Sequence, residues 1–340
     1  MGEKLSIAGI SVEPGKRIAK KIKIGSLPDN SPLDMPITLI NGRESGPILC
    51  LNSGIHGNEL CGLEIVRRAA LEIDAGELSG AVVAIPGCNP LAYVFKTHHI
   101  CDNPWLSYPG NSWGSWEKRL VHFLFNEIFS KTNYIMDFHG GDDSIIERYI
   151  YISDTPETYP KVGRIHEELA RAFGTGLPVY SELIKVKQPL LSYYAGMQGI
   201  PVITLEIGGG QTVWEEDVQR GVKGIKNVMK YLKMIEGEPE PSEQLYFSRA
   251  QTIWANHGGF LTPEIHSPLE IPYKVTKGEV IARITDLLGN EVDVIKSELD
   301  GLVCLARLSR AVITGDWLYE LGSGSTTFPP KPIVSEEVYT

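Results

Sequence analysis

Apolar runs of strand length alternate with helical patterns from residue 47 to about residue 235. A buried strand is a short continuous apolar run, whereas a helix repeats its apolar side chains every three or four residues. The patterns predict strands at Leu49–Asn52, Ala81–Pro86, Asn133–Phe138 and Pro201–Glu206. They predict helices at Glu59–Ile73, Trp113–Ser130, Thr155–Phe173 and Val218–Leu232. Such alternation is typical of an α/β fold whose mostly parallel sheet is covered by helices on both faces.

The pattern changes after Gly237–Pro241, a segment whose Pro, Gly and charge content marks a boundary. Short β-type runs separated by Gly or Pro turns follow it, at Ile271–Val275, Glu279–Ile284, Glu291–Ile295, Leu302–Ala306 and Trp317–Leu321. We therefore predict a first domain over residues 1–240, whose residues 1–46 form an extension of strands and loops. A small β domain over residues 245–322 and a polar tail over residues 323–340 complete the chain.

Composition narrows the class of protein. The chain has 340 residues, 42% hydrophobic and 22% charged, which suits a globular protein with a large core. Its net charge of −10 argues against nucleic acid or an anionic membrane as partner. No apolar stretch approaches the about 20 residues of a membrane-spanning helix. Five cysteines without paired spacing, and no signal peptide, favour a reducing cytoplasm. Homo-oligomer formation is left open.

Three candidate metal ligands lie at the ends of predicted strands or just beyond them. His56 and Glu59 follow the first strand, and His139 follows the third. In open α/β sheets, ligands bind beyond the carboxyl ends of the strands. Two imidazoles and a carboxylate, with a fourth position open to water, make a catalytic zinc site. Glu206 ends the fourth strand before three glycines, which let backbone and substrate approach closely. The pattern predicts one Zn²⁺ per chain and a hydrolytic activity.

Five motifs in order make the chain resemble the succinylglutamate desuccinylase/aspartoacylase family of zinc carboxypeptidase-like enzymes. They are His56–Glu59, Asn89–Tyr93, Tyr108–Gly110, Asp137–His139 and Leu205–Gly210, and they span roughly residues 47–215. The resemblance implies a zinc-carboxypeptidase-like mixed sheet with helices on both faces. The C-terminal part is similar to the biotinyl/lipoyl-type β-sandwich of longer members. Its candidate hairpin carries no lysine, so a carrier role is not expected.

The resemblance also implies roles for individual residues. His56, Glu59 and His139 would bind zinc, and Glu206 would be the general base that activates the metal-bound water and then protonates the departing nitrogen. The implied enzyme is a metal-dependent deacylase of the amidohydrolase type. It would remove an acyl group from an N-acylated amine or amino acid, a small-molecule substrate.

The chain departs from the family pattern at its arginines. His98 stands where members carry one arginine, and Trp105-Leu106 stands where they carry an Asn-Arg pair that grips a carboxylate. Arginine is a planar cation that binds carboxylates in a bidentate manner, and here an aromatic and an aliphatic side chain stand in place of the pair that contains it. We expect either a substrate without that carboxylate or a cation supplied from elsewhere. The candidates for that cation are Arg148, Lys185 and Lys187.

Further residues are candidates for substrate contact. His98 could donate a hydrogen bond to a developing oxyanion. Asn89, Trp105 and Tyr108 are candidate substrate residues, although packing is the simpler interpretation of the two aromatic ones. Two other classes of function stay open. One is a metallocarboxypeptidase-like peptidase, against which the missing arginines count. The other is a non-catalytic zinc- or ligand-binding relative, against which the intact ligands and Glu206 count.

Overall fold

The computed structural model describes residues 2–184, 189–247, 250–264, 266–325 and 334–335. Its strands are β1 (Leu5–Ile7), β2 (Ile10–Val12), β3 (Lys16–Ser26), β4 (Pro32–Asn41), β5 (Glu44–Ser53), β6 (Ser79–Pro86), β7 (Tyr134–His139), β8 (Ile145–Asp154), β9 (Val179–Ile184), β10 (Val202–Gly209), β11 (Tyr246–Phe247), β12 (Ala250–Trp254), β13 (Gly259–Pro263), β14 (Tyr273–Val275), β15 (Val280–Thr285), β16 (Glu291–Lys296), β17 (Gly301–Arg307), β18 (Ala311–Val312), β19 (Trp317–Gly322) and β20 (Val334–Ser335).

The α-helices are α1 (Leu60–Glu72), α2 (Pro90–Phe95), α3 (Trp116–Glu127), α4 (Arg164–Phe173), α5 (Leu191–Met197) and α6 (Glu215–Tyr231). Short helical turns of other types lie at Pro104–Leu106, Phe129–Lys131, Tyr159–Gly163 and Pro268–Glu270. Within the described part of the chain, no helix combines the length and apolar character needed to cross a membrane.

One large mixed sheet organises the molecule, in the order β12-β19-β17-β8-β10-β7-β5-β6-β4-β3. Its centre, β10-β7-β5-β6, is parallel, as the alternation of strands and helices predicts. Strands β4 and β8 border this centre in antiparallel orientation. The carboxyl ends of the central strands therefore meet at one edge, where the side chains that follow them come together.

Helices cover both faces of the sheet. Side chains of a strand alternate between its two faces. On β5, Leu49 and Leu51 accordingly enter one apolar core with side chains of α1, α4 and α6. Cys50 enters the other core, with side chains of α3 and α5. The prediction of an α/β protein with a mixed sheet between two helical layers is confirmed.

Two predicted helices need correction. The helix predicted at Trp113–Ser130 is shorter and covers Trp116–Glu127. The helix predicted at Thr155–Phe173 is wrong in its first half, because the α-helix begins only at Arg164. Pro160 lies in the preceding segment and has no N–H to donate, so a regular helix does not extend back through it.

The C-terminal strands divide between two sheets. Strand β17 pairs with β8 of the main sheet, with Leu305 opposite Glu147, so that β17, β19 and β12 continue that sheet. Strands β16, β15, β13 and β18 form a separate four-stranded sheet in that order. Leu261, Ile284 and Tyr319 are among the residues of the core between these strands. The four-stranded sheet is compatible with a β-sandwich, and that assignment stays a prediction.

Candidate active site

Three buried side chains meet at the carboxyl edge of the parallel strands. His56 lies in the turn after β5, Glu59 directly precedes α1, and His139 ends β7. Nδ1 of His56 is 2.6 Å from Oε1 of Glu59, and Nδ1 of His139 is 3.2 Å from Oε2 of the same carboxylate. Each residue is at most 5% exposed, and one candidate ligand atom from each lies within 4.8 Å of the others. Among the described residues, this is the one group of His, Cys, Asp and Glu arranged so closely.

The turn that presents His56 requires a close approach of two backbone segments. A Cβ on Gly57 would lie 2.0 Å from the carbonyl carbon of Ala92 in α2, so no larger residue fits there. Asn89 is the N-cap of α2, and its side chain donates to the carbonyl oxygen of Ile55 at 3.0 Å. Helix α2 and its cap therefore fix the backbone on both sides of the imidazole.

Asp137 holds the second nitrogen of His139. Its Oδ2 is 3.2 Å from Nε2 of His139, and its Oδ1 accepts a hydrogen bond from Asn52 at 2.7 Å. Burial lowers the pKa of His139, but the charges of Asp137 and Glu59 outweigh it and raise that pKa well above its ordinary value. Histidines that bind metals almost always donate their other ring N–H to a carboxylate, a backbone carbonyl or water, and this bond fixes the ring orientation.

The donor set fits a zinc ion. Oε2 of Glu59 is buried and faces Nδ1 of His139 at 3.2 Å without a hydrogen bond of good geometry, although buried polar atoms are nearly always hydrogen-bonded. Burial opposes ionisation of this carboxyl, but the charges of His56 and His139 lower its pKa far below 4.5. Two imidazole nitrogens and an ionised carboxylate oxygen are the ligand types of catalytic zinc sites.

A cavity of about 300 Å³ opens beside this cluster, and Glu206 lines it. Glu206 and His139 are register partners on β10 and β7, which explains why their side chains come together. Burial raises the pKa of Glu206 to about 7, and the charge of His139 works against that rise. A carboxyl group with such a pKa can accept and return a proton near neutral pH.

His98 reaches the same cavity from the loop after α2. Its ring stacks on that of His56, with centroids 3.6 Å apart and planes inclined by 15°. Its Nδ1 is 3.8 Å from Oε1 of Glu59 and has no hydrogen-bond partner. Burial lowers the pKa of His98 to about 3, so its imidazole is neutral. Glu117 anchors this loop, because its carboxylate accepts the backbone N–H groups of residues 100 and 101 at 2.8 and 3.0 Å.

The other predicted substrate residues have different fates. Trp105 lines the cavity, whereas Tyr108 is only 3% exposed and packs in the core that contains side chains of α3 and α5. Asn89, a candidate substrate residue, is fully buried and does not line the cavity. Its side-chain oxygen accepts from Ala92 N at 3.3 Å and from Trp116 Nε1 at 2.9 Å. Its amide therefore caps α2 and joins it to the turn after β5 and to the first residue of α3.

Arg148, a candidate substrate cation, does not line the cavity. Its Nε and Nη2 donate to the two carboxylate oxygens of Asp217 at 2.8 and 3.0 Å. Its Nη1 donates to the carbonyl oxygens of Leu269 and Ile271 at 2.6 and 2.7 Å. The guanidinium thus joins β8 to α6 and to the C-terminal part on the far side of the sheet.

Much of the cavity wall consists of residues that the sequence motifs did not indicate. Glu147, Tyr149 and Tyr151, at alternate positions of β8, line it together with Glu320 of β19. In β8, Arg148 interrupts the alternation of polar or aromatic with aliphatic positions, so the local signal for a strand with one functional face is weak. For Glu320 no local signal exists, because its strand is distant in the sequence. The candidate lysines 185 and 187 lie outside the described residues.

Fold and site together define a class, an α/β protein whose buried His–Glu–His cluster adjoins a cavity at the carboxyl edge of its sheet. The chain belongs to the succinylglutamate desuccinylase/aspartoacylase family, since the model of that family's catalytic domain matches residues 45–232. The family predicted from the motifs is confirmed.

Relatives extend the likeness beyond the matched region. The chain is 26% identical to N-alpha-acetyl-L-2,4-diaminobutyric acid deacetylase of Halomonas elongata over 295 residues, and this aligned region covers 83% of each chain. A solved succinylglutamate desuccinylase/aspartoacylase from Rhodobacter sphaeroides is similar in fold, with a TM-score of 0.78, 22% identity, and coverage of 92% of this chain and 97% of that one. A succinylglutamate desuccinylase from Silicibacter sp. TM1040 gives a TM-score of 0.77 at 17% identity, with coverage of 91% and 94%. These solved structures support the mixed α/β fold.

Proposed function

We propose that this protein is a zinc-dependent deacylase that hydrolyses the amide bond of an N-acylated amine or amino acid. The observation that carries the proposal is the buried group of His56, Glu59 and His139, with Glu206 beside it in one cavity. Family membership and a deacetylase among the relatives point to the same kind of reaction. The five cysteines are free thiols, which is compatible with the reducing cytoplasm expected from the sequence.

The ion would be held by the two imidazoles and the Glu59 carboxylate. When bound, zinc supplies Lewis acidity toward a carbonyl oxygen and lowers the pKa of a water molecule. Asp137 holds the His139 ring in the orientation that points Nδ1 at Glu59. These buried ligands exclude bulk water from one side of the reacting amide, which strengthens electrostatic interactions there.

Glu206 would move the proton. Its carboxylate takes a proton from the attacking water and returns it to the nitrogen as the amide bond breaks. Neutral His98 has one N–H to donate. Its ring stacks on the ring of His56 and lines the same cavity. We assign it the role of a hydrogen-bond donor to the oxygen on which negative charge develops.

The test is an assay of the purified protein against N-acetyl and N-succinyl amines and amino acids, with metal analysis of the same sample. We expect about one zinc per chain, turnover that disappears with a chelator, and recovery when zinc is added. Glu206→Gln should lower kcat by about 10²–10⁴-fold, because it removes the proton acceptor but no ligand. Its zinc content should stay the same. Tight zinc binding without hydrolysis of any amide would favour the binding-protein alternative.

A further inference from the structure

Both imidazoles of the His–Glu–His cluster make contacts through both ring nitrogens. Nδ1 of His56 and Nδ1 of His139 each face one oxygen of Glu59. On the other side of its ring, Nε2 of His139 lies 3.2 Å from Oδ2 of Asp137. Nε2 of His56 lies 3.1 Å from Oδ1 of Asn103. The two rings are therefore supported in the same way, except that one support is a carboxylate and the other is a neutral amide.

The neighbourhood of Asn103 identifies the atom that faces His56 as an oxygen. The backbone N–H of Trp105 donates to the same atom at 3.0 Å, and an N–H group donates only to an acceptor. An amide oxygen has no hydrogen to give, so the hydrogen of its contact with His56 is on Nε2. A neutral imidazole carries one ring hydrogen. With that hydrogen on Nε2, Nδ1 has a free lone pair.

The contact at Nε2 matters for the opposite side of the ring. Nδ1 of His56 and Oε1 of Glu59 are 2.6 Å apart. In the neutral ring both atoms are acceptors, and two acceptors so close repel each other unless a proton or a metal ion joins them. A metal ligand must be free of hydrogen at the binding nitrogen. Asn103 therefore favours the form of His56 that can bind zinc through Nδ1.

Asn103 is itself held in place through its backbone. Its carbonyl oxygen accepts hydrogen bonds from Oγ of Ser107 at 2.7 Å and from the N–H of Leu106 at 3.2 Å. The N–H of the preceding Asp102 donates to the buried carboxylate of Glu117 at 3.3 Å. A supporting side chain orients a ligand only if its own position is fixed, and these bonds meet that condition.

The same amide oxygen also fixes part of the cavity wall. Through its bond to the N–H of Trp105, Asn103 caps the short helical turn Pro104–Leu106. Asn103, Trp105 and His56 all line the cavity. One oxygen atom therefore sets both the orientation of a predicted zinc ligand and the position of an aromatic residue of the wall.

We propose that Asn103 is a positioning residue of the zinc site, whose amide oxygen keeps the hydrogen of His56 on Nε2 and directs Nδ1 to the metal. The inference rests on the proposed function, because it assigns a role toward the zinc ion. A neutral oxygen accepts a hydrogen bond less strongly than a carboxylate does. The support of His56 is therefore the weaker of the two, and zinc affinity should respond when it is removed or strengthened.

A competition titration of the full chain against a chelator measures the zinc affinity. Asn103→Leu removes both hydrogen bonds of the amide oxygen and should weaken zinc binding by about 10–100-fold. Asn103→Asp keeps an acceptor for both N–H groups and adds a charge, so it should bind zinc at least as tightly as the parent. Unchanged affinity in Asn103→Leu, or an equal loss in both variants, would overturn the inference and leave the zinc-deacylase proposal standing.

The chain offers a matched control for the loss of the turn. Oδ1 of Asn111 accepts the N–H of Trp113 at 3.2 Å, in the same two-residue arrangement but outside the cavity. Asn111→Leu breaks a bond of the same kind and should leave the zinc affinity unchanged. A loss as large as that of Asn103→Leu would show that any broken turn has this effect, and it would contradict the role of Asn103.

NMR of the metal-free protein with ¹⁵N-labelled histidine tests the contact without zinc. The hydrogen on Nε2 of His56 is buried and hydrogen-bonded, so it should exchange slowly with water in the parent and in Asn103→Asp. It should exchange rapidly in Asn103→Leu. His56→Gln identifies the signal by removing it. Equal exchange in the parent and Asn103→Leu would refute the inference.

The two measurements separate the two proposals. A parent protein that bound no zinc would refute the proposed function. A slowly exchanging hydrogen that is lost in Asn103→Leu would then still support the assigned contact between Asn103 and His56.

Discussion

At the scale of single residues, Asp137 orients a predicted zinc ligand, although it does not itself line the cavity. It lies behind His139, and Asn52 holds it in turn. We expect Asp137→Asn to weaken zinc binding by about 10–100-fold, because an amide holds the ring less firmly than a carboxylate. A competition titration against a chelator measures the change.

A matched control exists for this variant. Asp293 lies 3.3 Å from Nδ1 of His257 in a pair on the surface, outside the described cavity. Asp293→Asn should leave the zinc affinity unchanged. Equal affinities of the parent and Asp137→Asn would show that Asp137 does not orient the ligand.

Residue chemistry explains how far the sequence could predict the site. His56, Glu59, His139 and Glu206 are polar groups at strand ends, and parallel strand ends meet in space, so their proximity was predictable. Asp137 was within reach of the same argument, since it is two positions before His139 on one strand face. The role of Asn89 could not be predicted in this way. The hydrogen-bond partners of a buried side-chain amide depend on tertiary contacts, and its neighbours in the sequence do not reveal them.

At the scale of elements, the two faces of β8 do different work. The face with Arg148 ties the strand to α6, where Asp217 also accepts from Arg220 at 2.9 Å. We expect Arg148→Met to lower the free energy of unfolding by about 3 kcal/mol, because it leaves a buried carboxylate and two buried carbonyl groups short of a partner. Urea unfolding of the metal-free protein measures it.

An exposed arginine provides the comparison. Arg67 pairs with Glu64 at the surface, and 56% of its side chain is exposed. Arg67→Met should therefore lower the free energy of unfolding by less than about 1 kcal/mol. If Arg148→Met instead lost turnover at full stability, Arg148 would be a substrate residue after all.

Elements with one strong periodicity were predictable, and β8 was not. Helix α6 keeps its three-four spacing of buried side chains, so its pattern identified it. All ten residues of β8 are buried, but on one face Ile145 is followed by Glu, Tyr, Tyr and Ser, which hides the strand from a search for apolar runs. The functional face is the reason why the local pattern is weak.

At the scale of the whole molecule, the acidic cavity makes the stability of the metal-free protein depend on pH. The folded chain keeps a proton on Glu147 that the unfolded chain loses near pH 4.5, because burial raises the folded pKa. The stability from this proton is complete below that pH and is lost as the pH rises through the folded pKa. We therefore expect Glu147→Gln to gain stability relative to the parent as the pH rises from about 5 to about 8.

Chemical unfolding of the chelated protein at a series of pH values measures the difference. Glu236→Gln, whose site is exposed, should follow the parent at every pH. A constant difference between Glu147→Gln and the parent would mean that Glu147 is ionised throughout the range.

The arrangement of the C-terminal strands was beyond sequence analysis. A change of composition at Gly237–Pro241 indicates where a linker lies, but it carries no information on which strands pair across it. Leu305 is opposite Glu147, more than 150 residues earlier, and this pairing brings Glu320 to the cavity. Such contacts depend on the register of the complete sheet.

The pairing of β17 with β8 has a consequence for how the chain can be divided. One side of β8 is shared between β17, along residues 145–147, and β9, along residues 150–154. A chain truncated at Gly237–Pro241 would leave residues 145–147 of β8 with unpaired backbone N–H and C=O groups. The cavity beside them would lack the part of its wall that contains Glu320. Exposed strand edges recruit strands from other molecules. Natural or engineered truncations there are therefore expected to self-associate into insoluble material instead of yielding a smaller enzyme.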